Sequence, residues 1–419
     1  MVSAENLLYI IIGIVLLEFI VEQILSYLNQ KQWKPALPEE LSGIYDTTHY
    51  IKSQEYAFAK EKLHRLSSVF SLTFSLFLLL KGFAWLDELV SNWLGNSIWT
   101  SLVFFGCYGL SVDIIHLPFE WYATFVIEEK FGFNKMTPLL FWTDKLKTWI
   151  LSATVGGILL YVFIWLYQSI GNYFWIYAWL FFVLFMLAIT MFYTTFIVPM
   201  FNKLTPLPEG ELRTAIENYA HSVDFPINNI MVMDGSKRTT KANAYFSGIG
   251  KTKTIILYDT LIEKHSIPEL VAILAHEVGH YKCKHVLKSI LISAINTLIL
   301  LYILQIFISE PVLSHALGAQ EPKIHLGLIA FFLLYSPLST ITGLLFNMIS
   351  RKNEFEADAF ACQTSSGEAL GEALKKLSID TLSNLNPHPA YVFFYYSHPP
   401  LLERLRAIAQ KSEEIVKTS

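Results

Sequence analysis

Long apolar stretches alternate with polar ones along the chain, and seven apolar stretches are long enough to cross a membrane as helices. They lie near residues 7–28, 67–87, 97–117, 148–170, 173–199, 288–308 and 325–348. A helix of about 20 apolar residues spans the hydrocarbon core of a bilayer. The pattern therefore predicts five spanning helices within 1–199 and two more within 288–348. No Lys or Arg precedes the first segment and no small-residue cleavage site follows it, so we expect it to remain as an anchor.

Two polar stretches, 200–287 and 349–419, are predicted to form one domain on one side of the membrane. The first begins with apolar residues at helical spacing over 212–219. Short strand-like runs follow it near 230–233, 244–246 and 254–257. These runs predict a small antiparallel sheet, whose open edge could hold an extended peptide by strand addition.

Basic residues are concentrated in the loops 29–66 and 118–147. They are Lys31, Lys34, Lys52, Lys60, Lys62 and Arg65 in the first loop and Lys130, Lys135, Lys145 and Lys147 in the second. The connectors after the second and fourth apolar segments carry no Lys or Arg. Because cytoplasmic loops are enriched in Lys and Arg, we predict that both loops and both polar stretches are cytoplasmic and that the N-terminus is outside.

Composition supports a membrane protein. Hydrophobic residues make up 53% of the 419 residues and charged residues only 16%, against about 25% charged in soluble domains. The net charge of -4 and the lack of a basic tract argue against a nucleic-acid partner. The three cysteines form no C-x-x-C pattern, so the sequence predicts neither a disulfide framework nor a thiolate zinc site.

A histidine motif lies near the end of the stretch 200–287. Pro268 predicts the first turn of a helix that carries His276, Glu277 and His280. Residues four apart share a helix face, so both imidazoles can bind one zinc ion while Glu277 stands beside the water that zinc activates. Such a motif also arises by chance, and the interpretation therefore needs support elsewhere in the chain.

A catalytic zinc site needs a third protein ligand and an open position for water. Glu354 and Asp358 share a face of the helix predicted to emerge from the segment 325–348. We predict that Glu354 is the third ligand and that Asp358 accepts a hydrogen bond from a ligating histidine. The alternative is that Glu354, Glu356 and Asp358 form a solvated acidic face and bind no metal. We adopt this alternative for Glu356 but not for Glu354 or Asp358.

Other polar residues are less informative. His285 follows His280 by five residues and, on a continuous helix, would point to another side, so we leave it out of the predicted site. His398 lies on a Pro-rich turn, from which it could donate to an oxyanion. Asp113 and His116 fall in the third apolar segment, and two interpretations stay open: the membrane interface, or a polar cavity inside the bundle.

Together these features resemble family M48 of zinc metallopeptidases, and within it the membrane-integral CAAX prenyl proteases of the Ste24 type. The resemblance covers nearly the whole chain. Besides the apolar segments it rests on Asn243-Ala244-Tyr245-Phe246, His276-Glu277-Val278-Gly279-His280, Glu354 to Asp358, and Ser397-His398-Pro399-Pro400 with Arg404.

The resemblance implies a mainly α, polytopic fold in which seven transmembrane helices form a chamber. A zincin-like metalloprotease domain with the small antiparallel sheet would close the chamber on the cytoplasmic side. The implied ligands of a single Zn²⁺ are His276, His280 and Glu354.

The resemblance also implies roles for other residues. Glu277 would be the general base and would return a proton to the leaving amine. Asn243 and His398 would hold the substrate backbone and the developing oxyanion. Arg404 would orient either neighbouring acidic groups or the substrate.

The implied substrates are prenylated or other membrane-associated peptides and proteins, with membrane lipid as a further partner. Similar proteins remove the last three residues after a prenylated cysteine. The implied location is the endoplasmic reticulum or inner nuclear membrane in a eukaryote, or the inner membrane in a bacterium. The sequence leaves the oligomeric state open and is compatible with a monomer.

Two other functions share some of these features. A quality-control protease of the HtpX type has the same zinc motif but fewer spans, and the seven apolar segments count against it. A transporter or scaffold would use zinc structurally, and such a site is closed by four protein ligands. The sequence offers three good ligands and no fourth, which favours catalysis.

Overall fold

The computed structural model describes residues 2–33, 37, 43–248 and 253–418. Lys34, part of the first basic loop, lies outside the described residues. Within these ranges the chain folds into sixteen α-helices and one four-stranded sheet.

The first half of the chain is helical almost throughout. Its helices are α1 (Ala4–Lys31), α2 (Thr47–Phe77), α3 (Phe83–Leu94), α4 (Ile98–Tyr122), α5 (Pro138–Ile170), α6 (Phe174–Phe192) and α7 (Val198–Phe201). Wider π-helical turns at Leu78–Gly82 and Tyr193–Ile197 join α2 to α3 and α6 to α7, and a third at Ala123–Glu128 extends α4.

The sheet and the histidine helix come next. The strands are β1 (Leu204–Pro206), β2 (Ile227–Met233), β3 (Ala244–Ser247) and β4 (Lys253–Tyr258), in the order β1-β2-β4-β3. The helices of this part are α8 (Glu211–Ser222), α9 (Asp259–Lys264) and α10 (Ile267–Lys282).

Two membrane helices and the C-terminal helices complete the chain. They are α11 (His285–Phe307), α12 (Pro311–Ala316), α13 (Ile324–Thr364), α14 (Gly367–Thr381), α15 (Pro389–Tyr395) and α16 (Leu401–Thr418). The helix α13 is 41 residues long, so it continues without a break from the membrane segment into the stretch 349–419. This stretch and 200–287 make up the predicted metalloprotease domain, called the catalytic domain below.

Each of the seven predicted membrane segments is helical in the structure. Six stretches among the described residues are long and apolar enough to cross a membrane, and the fourth, Pro138–Phe201, contains both α5 and α6. The chain reverses between these two helices, because the rings of Phe163 and Phe182 lie 6.3 Å apart. In one straight helix the same 19-residue separation would span about 28 Å.

The sheet is mixed, which corrects the prediction that it is antiparallel throughout. Strand β4 pairs with β3 antiparallel, but it pairs with β2 parallel. Parallel pairing requires a crossover connection between the strands, and the alternation of apolar residues within each strand does not reveal it. The short strand β1 was not predicted. Strand β3 forms one edge of the sheet, as strand addition of a peptide would require.

The catalytic domain has its apolar core between the sheet and the helices α8, α10, α14 and α16. Ile255 and Leu257 of β4 face this core, together with Ile216 and Leu274. Ile256, between them in sequence, faces the opposite side and packs near α7. Alternate residues of β4 therefore face the core of the catalytic domain and the end of the membrane bundle.

The large apolar core of the described membrane helices lies far from the catalytic domain. It contains residues near the start of α1, the α2 to α3 junction, the α5 to α6 turn, and the α11 to α13 connection. The half of the bundle next to the catalytic domain lacks a packed core of this kind among the described residues. This distribution fits the chamber that the family resemblance implies.

Two ion pairs join the second basic loop, 118–147, to the catalytic domain, and a hydrogen bond joins the first loop, 29–66, to it. Lys241 lies 2.7 Å from Glu128, and Arg238 lies 2.8 Å from Asp144. The hydroxyl of Tyr45 donates to a main-chain carbonyl near the end of α14. The two loops and the catalytic domain therefore share one side of the bundle, as predicted. That this side is cytoplasmic stays a prediction.

Candidate metal centre

The helix α10 has a strong start signal. Ser266 and Glu269 form a reciprocal capping box, and Pro268 occupies the first turn, where its missing N–H costs nothing. This start sets the helix that presents His276 and His280, four residues apart, on one face.

A close helix crossing brings the third predicted ligand to the histidines. Gly279 lies against Ala357 of α13, and a Cβ at Gly279 would approach the Ala357 main chain to 3.0 Å. A glycine is therefore needed here for close approach and not for a special backbone angle. The crossing places Glu354, one turn before Ala357, beside the histidine pair.

Three donor atoms converge at this crossing. The Nε2 atoms of His276 and His280 are 3.1 Å apart. The carboxylate of Glu354 is 3.4 Å from His276 Nε2 and 3.3 Å from His280 Nε2. Among the described residues the group contains these three ligands, and each side chain is at most 19% exposed.

This group of side chains fits a tetrahedral metal ion. Bonds of about 2.0–2.2 Å to nitrogen and oxygen give edges of about 3.3–3.6 Å in a tetrahedron. The two nitrogens are 3.1 Å apart, and each lies 3.3–3.4 Å from one of the two Glu354 oxygens. Moreover, Glu354 Oε2 is buried without a hydrogen bond, although His276 Nε2 and an Arg404 nitrogen each lie 3.4 Å from it. It therefore retains acceptor capacity that a cation at the centre would use. The three-residue group leaves the fourth corner available to water or substrate.

On the side away from the donor group, the His276 ring is fixed by a carboxylate, which is itself fixed by a guanidinium. Its Nδ1 donates to Asp358 at 2.8 Å, and Arg404 donates two hydrogen bonds to Asp358, at 2.9 and 2.7 Å. The hydrogen bond of Nδ1 leaves Nε2 free to bind a metal. Of the two alternatives for Arg404, contact with acidic groups is the one that the structure shows.

The electrostatic setting of His276 favours a positive charge at its ring. Burial alone would lower the pKa of His276, but the hydrogen bond to Asp358 and the proximity of Glu354 outweigh burial and raise the pKa to about 9. A divalent cation that binds at Nε2 therefore displaces a proton.

Glu277 lies beside the donor group. Burial raises the pKa of its carboxyl, although the charges of His276 and His280 oppose this rise. A carboxylate with a raised pKa accepts a proton more readily near neutral pH, as a general base must.

His285 lies outside the donor group, but it points toward His280 and not to another side of the helix as expected. Helix α10 ends at Lys282, Lys284 adopts the left-handed conformation with φ +60°, and α11 begins at His285. The turn brings His285 Nδ1 within 3.0 Å of His280 Nδ1. His285 Nε2 lies 3.0 Å from Glu356, so Glu356 has a specific partner as well as solvent contact.

His398 and Asn243 occupy different places. His398 is exposed, and its Nε2 lies 3.3 Å from Glu354 Oε1, at the rim of the donor group. Asn243 is exposed just before β3, where it lines a cavity of about 410 Å³ with Tyr245 and Tyr258. That cavity lies on the side of the sheet that packs near α7. The substrate contact of Asn243 stays a prediction.

Asp113 and His116 bond to neighbouring helices. Asp113 pairs with Lys145 at 2.9 Å and accepts from the Trp149 indole at 2.7 Å, both on α5. His116 approaches two serine hydroxyls of α2, Ser67 at 3.4 Å and Ser71 at 3.2 Å. These contacts tie α4 to α2 and α5, and the choice between the membrane interface and a polar cavity stays open.

A buried polar trio lies at the other end of the bundle, and no sequence pattern predicts it. His325 Nε2 is 2.9 Å from Asp87, and His325 Nδ1 is 3.1 Å from the Ser101 hydroxyl. The His325 side chain is only 2% exposed. Because Asp87, Ser101 and His325 lie far apart in sequence, only the fold brings them together.

Two family models match the chain. The model described as CAAX prenyl protease N-terminal, five membrane helices, matches residues 26–203. The model of peptidase family M48 matches residues 206–412, which include all the residues of the donor group.

Named relatives match the chain along most of its length. CAAX prenyl protease 1 of Saccharomyces cerevisiae is 34% identical, with 97% of this chain and 96% of the relative covered. A human CAAX prenyl protease 1 homolog is also 34% identical, with 89% and 88% covered. The crystal structure of S. mikatae Ste24p superposes with a TM-score of 0.91 at 33% identity, covering 96% of this chain and 99% of that one.

The family models account for both halves of the chain, and the similarity to the relatives extends through the membrane helices as well as the metal centre. The chain therefore belongs to peptidase family M48 and is a multi-pass membrane metalloendopeptidase.

Proposed function

We propose that this protein is a zinc metalloendopeptidase that removes the C-terminal aaX tripeptide from prenylated CAAX proteins. The observation that carries the proposal is the donor group of His276, His280 and Glu354, with Glu277 beside it, at the mouth of a seven-helix bundle. Relatives named CAAX prenyl protease 1, matched over nearly their whole length, supply the substrate class.

The donor set suits zinc. Two neutral imidazoles and one carboxylate, with a fourth position open, form a common catalytic zinc site. When bound there, zinc polarises the scissile carbonyl and lowers the pKa of a water molecule toward neutrality. Asp358 and Arg404 keep the His276 ring oriented, so the site is largely preformed.

Glu277 moves the proton. It accepts a proton from the attacking water as the C–O bond forms, and it returns that proton to the leaving amide nitrogen as the C–N bond breaks. The raised pKa of its carboxyl supports both roles, because the same group must first accept and then donate.

The substrate lies along β3 in this proposal. The outer edge of β3 leaves main-chain groups for an extended peptide, with Asn243 at one end of that strand. His398, at the rim beside Glu354, donates to the developing oxyanion. Both assignments rest on position and on the family motif.

The membrane sets the direction of approach. We place the catalytic domain on the cytoplasmic side, because the basic loops that contact it carry most of the loop Lys and Arg. A prenyl chain in that leaflet brings the attached C-terminus to the mouth of the bundle. In a eukaryote we expect the endoplasmic reticulum or inner nuclear membrane, and in a bacterium the inner membrane.

A peptide pair tests the proposal. A farnesylated CAAX peptide and its unprenylated twin are incubated with the purified protein, with and without phenanthroline, and the products are identified by mass spectrometry. We expect loss of the last three residues from the farnesylated peptide, much slower cleavage of the twin, and no cleavage with the chelator.

Two outcomes would contradict the proposal. Equal cleavage of both peptides, or cleavage confined to loosely folded polypeptides, would replace the prenyl substrate with quality-control proteolysis. Full activity in phenanthroline would remove the metal from the mechanism.

A further inference from the structure

We infer that His285 and Glu356 form a hydrogen-bonded chain that fixes the ring of His280 for metal binding. The inference rests on the metal centre proposed above and assigns positioning roles to two residues that are not ligands. The two ligating histidines differ at Nδ1: His276 Nδ1 contacts a carboxylate directly, whereas His280 Nδ1 reaches one only through His285.

The geometry of the chain is continuous. His280 Nδ1 is 3.0 Å from His285 Nδ1, and His285 Nε2 is 3.0 Å from Glu356 Oε2. The His285 side chain is only 4% exposed, and Glu356 is 37% exposed, with Lys352 3.8 Å from its other oxygen. The chain therefore runs from the buried donor group to a half-exposed carboxylate.

The number of protons on each ring decides which atom donates at each step of this hydrogen-bonded chain. A neutral imidazole carries one N–H, so binding of a metal at His280 Nε2 places the proton of that ring on Nδ1. His280 Nδ1 then donates to His285 Nδ1, which must be the acceptor. The proton of His285 is consequently on Nε2, from which it donates to Glu356. Every nitrogen in the chain is satisfied in this arrangement alone.

The backbone shows how His285 comes to this position. In a continuous helix, residues five apart point about 140° away from each other, so His280 and His285 would not meet. Lys284 adopts φ +60°, a left-handed conformation that is unfavourable for a residue with a Cβ. The strained turn is maintained next to the metal centre, where such strain often supports function.

A second metal site is the competing explanation. Cys283, His285 and Glu356 also place possible ligand atoms within 4.8 Å of one another. However, His285 Nε2 cannot bind a metal while it carries the proton that the His280 contact requires. The two explanations therefore differ in metal stoichiometry and in the importance of Cys283.

Measurements of zinc affinity test whether this hydrogen-bonded chain positions His280. Zinc content and zinc affinity, by chelator competition, are measured on the full-length protein for His285→Phe, His285→Gln and Glu356→Gln. We expect His285→Phe to weaken zinc binding by about 10- to 100-fold, the usual effect of losing a partner behind a ligating histidine. His285→Gln should restore most of the affinity, because an amide can both accept from His280 and donate to Glu356.

Matched controls separate positioning from folding. Glu413→Gln alters an exposed glutamate of α16 and should leave zinc affinity unchanged, as should Cys283→Ser. The melting temperature of each zinc-free variant is measured in parallel. A loss of zinc affinity in His285→Phe that merely follows a loss of zinc-free stability, and that His285→Gln does not rescue, would reduce His285 to a structural residue.

The remaining outcomes are distinct. Wild-type zinc affinity in His285→Phe, while His276→Ala has lost its zinc, would overturn this inference and leave the proposed function intact. Two zinc ions per chain, with one lost in Cys283→Ser, would establish the second metal site instead. Full zinc occupancy in His276→Ala would overturn the metal centre itself.

Discussion

Two buried histidine–aspartate pairs lie near opposite ends of α13. His276 Nδ1 is 2.8 Å from Asp358 in the catalytic domain, and His325 Nε2 is 2.9 Å from Asp87 in the membrane bundle. Helix α13 contributes Asp358 to one pair and His325 to the other, about 50 Å apart along its axis. The two pairs are alike in distance and burial.

They differ in what the second ring nitrogen contacts. His276 Nε2 faces His280 and Glu354 across a space that suits a metal ion. In His325 the second nitrogen contacts the Ser101 hydroxyl, so both of its nitrogens have partners within the bundle. In both places the aspartate therefore fixes the orientation of a buried imidazole ring. Only in His276 is the second ring nitrogen available to bind a metal ion.

Removing each histidine should separate the two roles most strongly. His276→Ala should lose metal and lower activity by more than about 100-fold, since even loss of a partner behind a ligand costs 10- to 100-fold. His325→Ala should keep its metal but lose about 1–3 kcal/mol of stability, because Asp87 loses a buried partner. Elemental analysis and thermal unfolding measure the two effects. Loss of metal in His325→Ala would contradict the purely structural role of the His325–Asp87 pair.

Glu277 distinguishes metal binding from catalysis at the functional pair. Glu277→Gln should retain the metal yet lower kcat by about 10²- to 10⁴-fold, the usual contribution of a general acid and base. Metal content and peptide turnover on the same sample are the measurements. A variant with full metal and normal turnover would show that another group moves the proton.

The two aspartates offer a smaller test of the same comparison. Asp358→Asn should weaken metal affinity by about 10- to 100-fold, because it removes the charge behind His276. Asp87→Asn should leave metal affinity unchanged, as its histidine contacts no metal ligand. Chelator competition on both variants gives the answer, and equal effects would show that the distant pair also influences the centre.

The helix crossing should give the smallest change. In Gly279→Ala the new Cβ meets the Ala357 main chain at 3.0 Å, so α10 and α13 must separate slightly, at about 1–3 kcal/mol. At Gly343 of α13, a Cβ would meet no described atom within 4 Å apart from the local backbone of its own helix, and Gly343→Ala should have little effect. Thermal unfolding and metal affinity are measured for both variants. Equal values would show that the close approach of α10 and α13 at Gly279 contributes neither to stability nor to metal binding.

The sequence predicted what depends on spacing within one helix. His276 with His280, and Glu354 with Asp358, are four residues apart, so each pair shares a face before any tertiary contact is known. The seven apolar segments were equally accessible, because crossing a bilayer requires length and hydrophobicity alone.

Contacts that depend on a turn or on distant pairing were not predictable. His285 reaches His280 only because Lys284 turns the chain with a positive φ, and lysine gives no sequence signal for that conformation. The parallel pairing of β2 with β4 and the meeting of His325 with Asp87 both depend on the path of the whole chain.

The uninterrupted length of α13 has a mechanical consequence. About thirty residues, or 45 Å of continuous helical rod that contains Pro337, separate the start of α13 from Glu354. Pivoting the rod by one degree would swing that carboxylate by roughly 0.8 Å, and a misplacement of about 1 Å can cost 100-fold in rate. A helix that tilts to accommodate a thinner bilayer would therefore also move Glu354 relative to the histidines of α10.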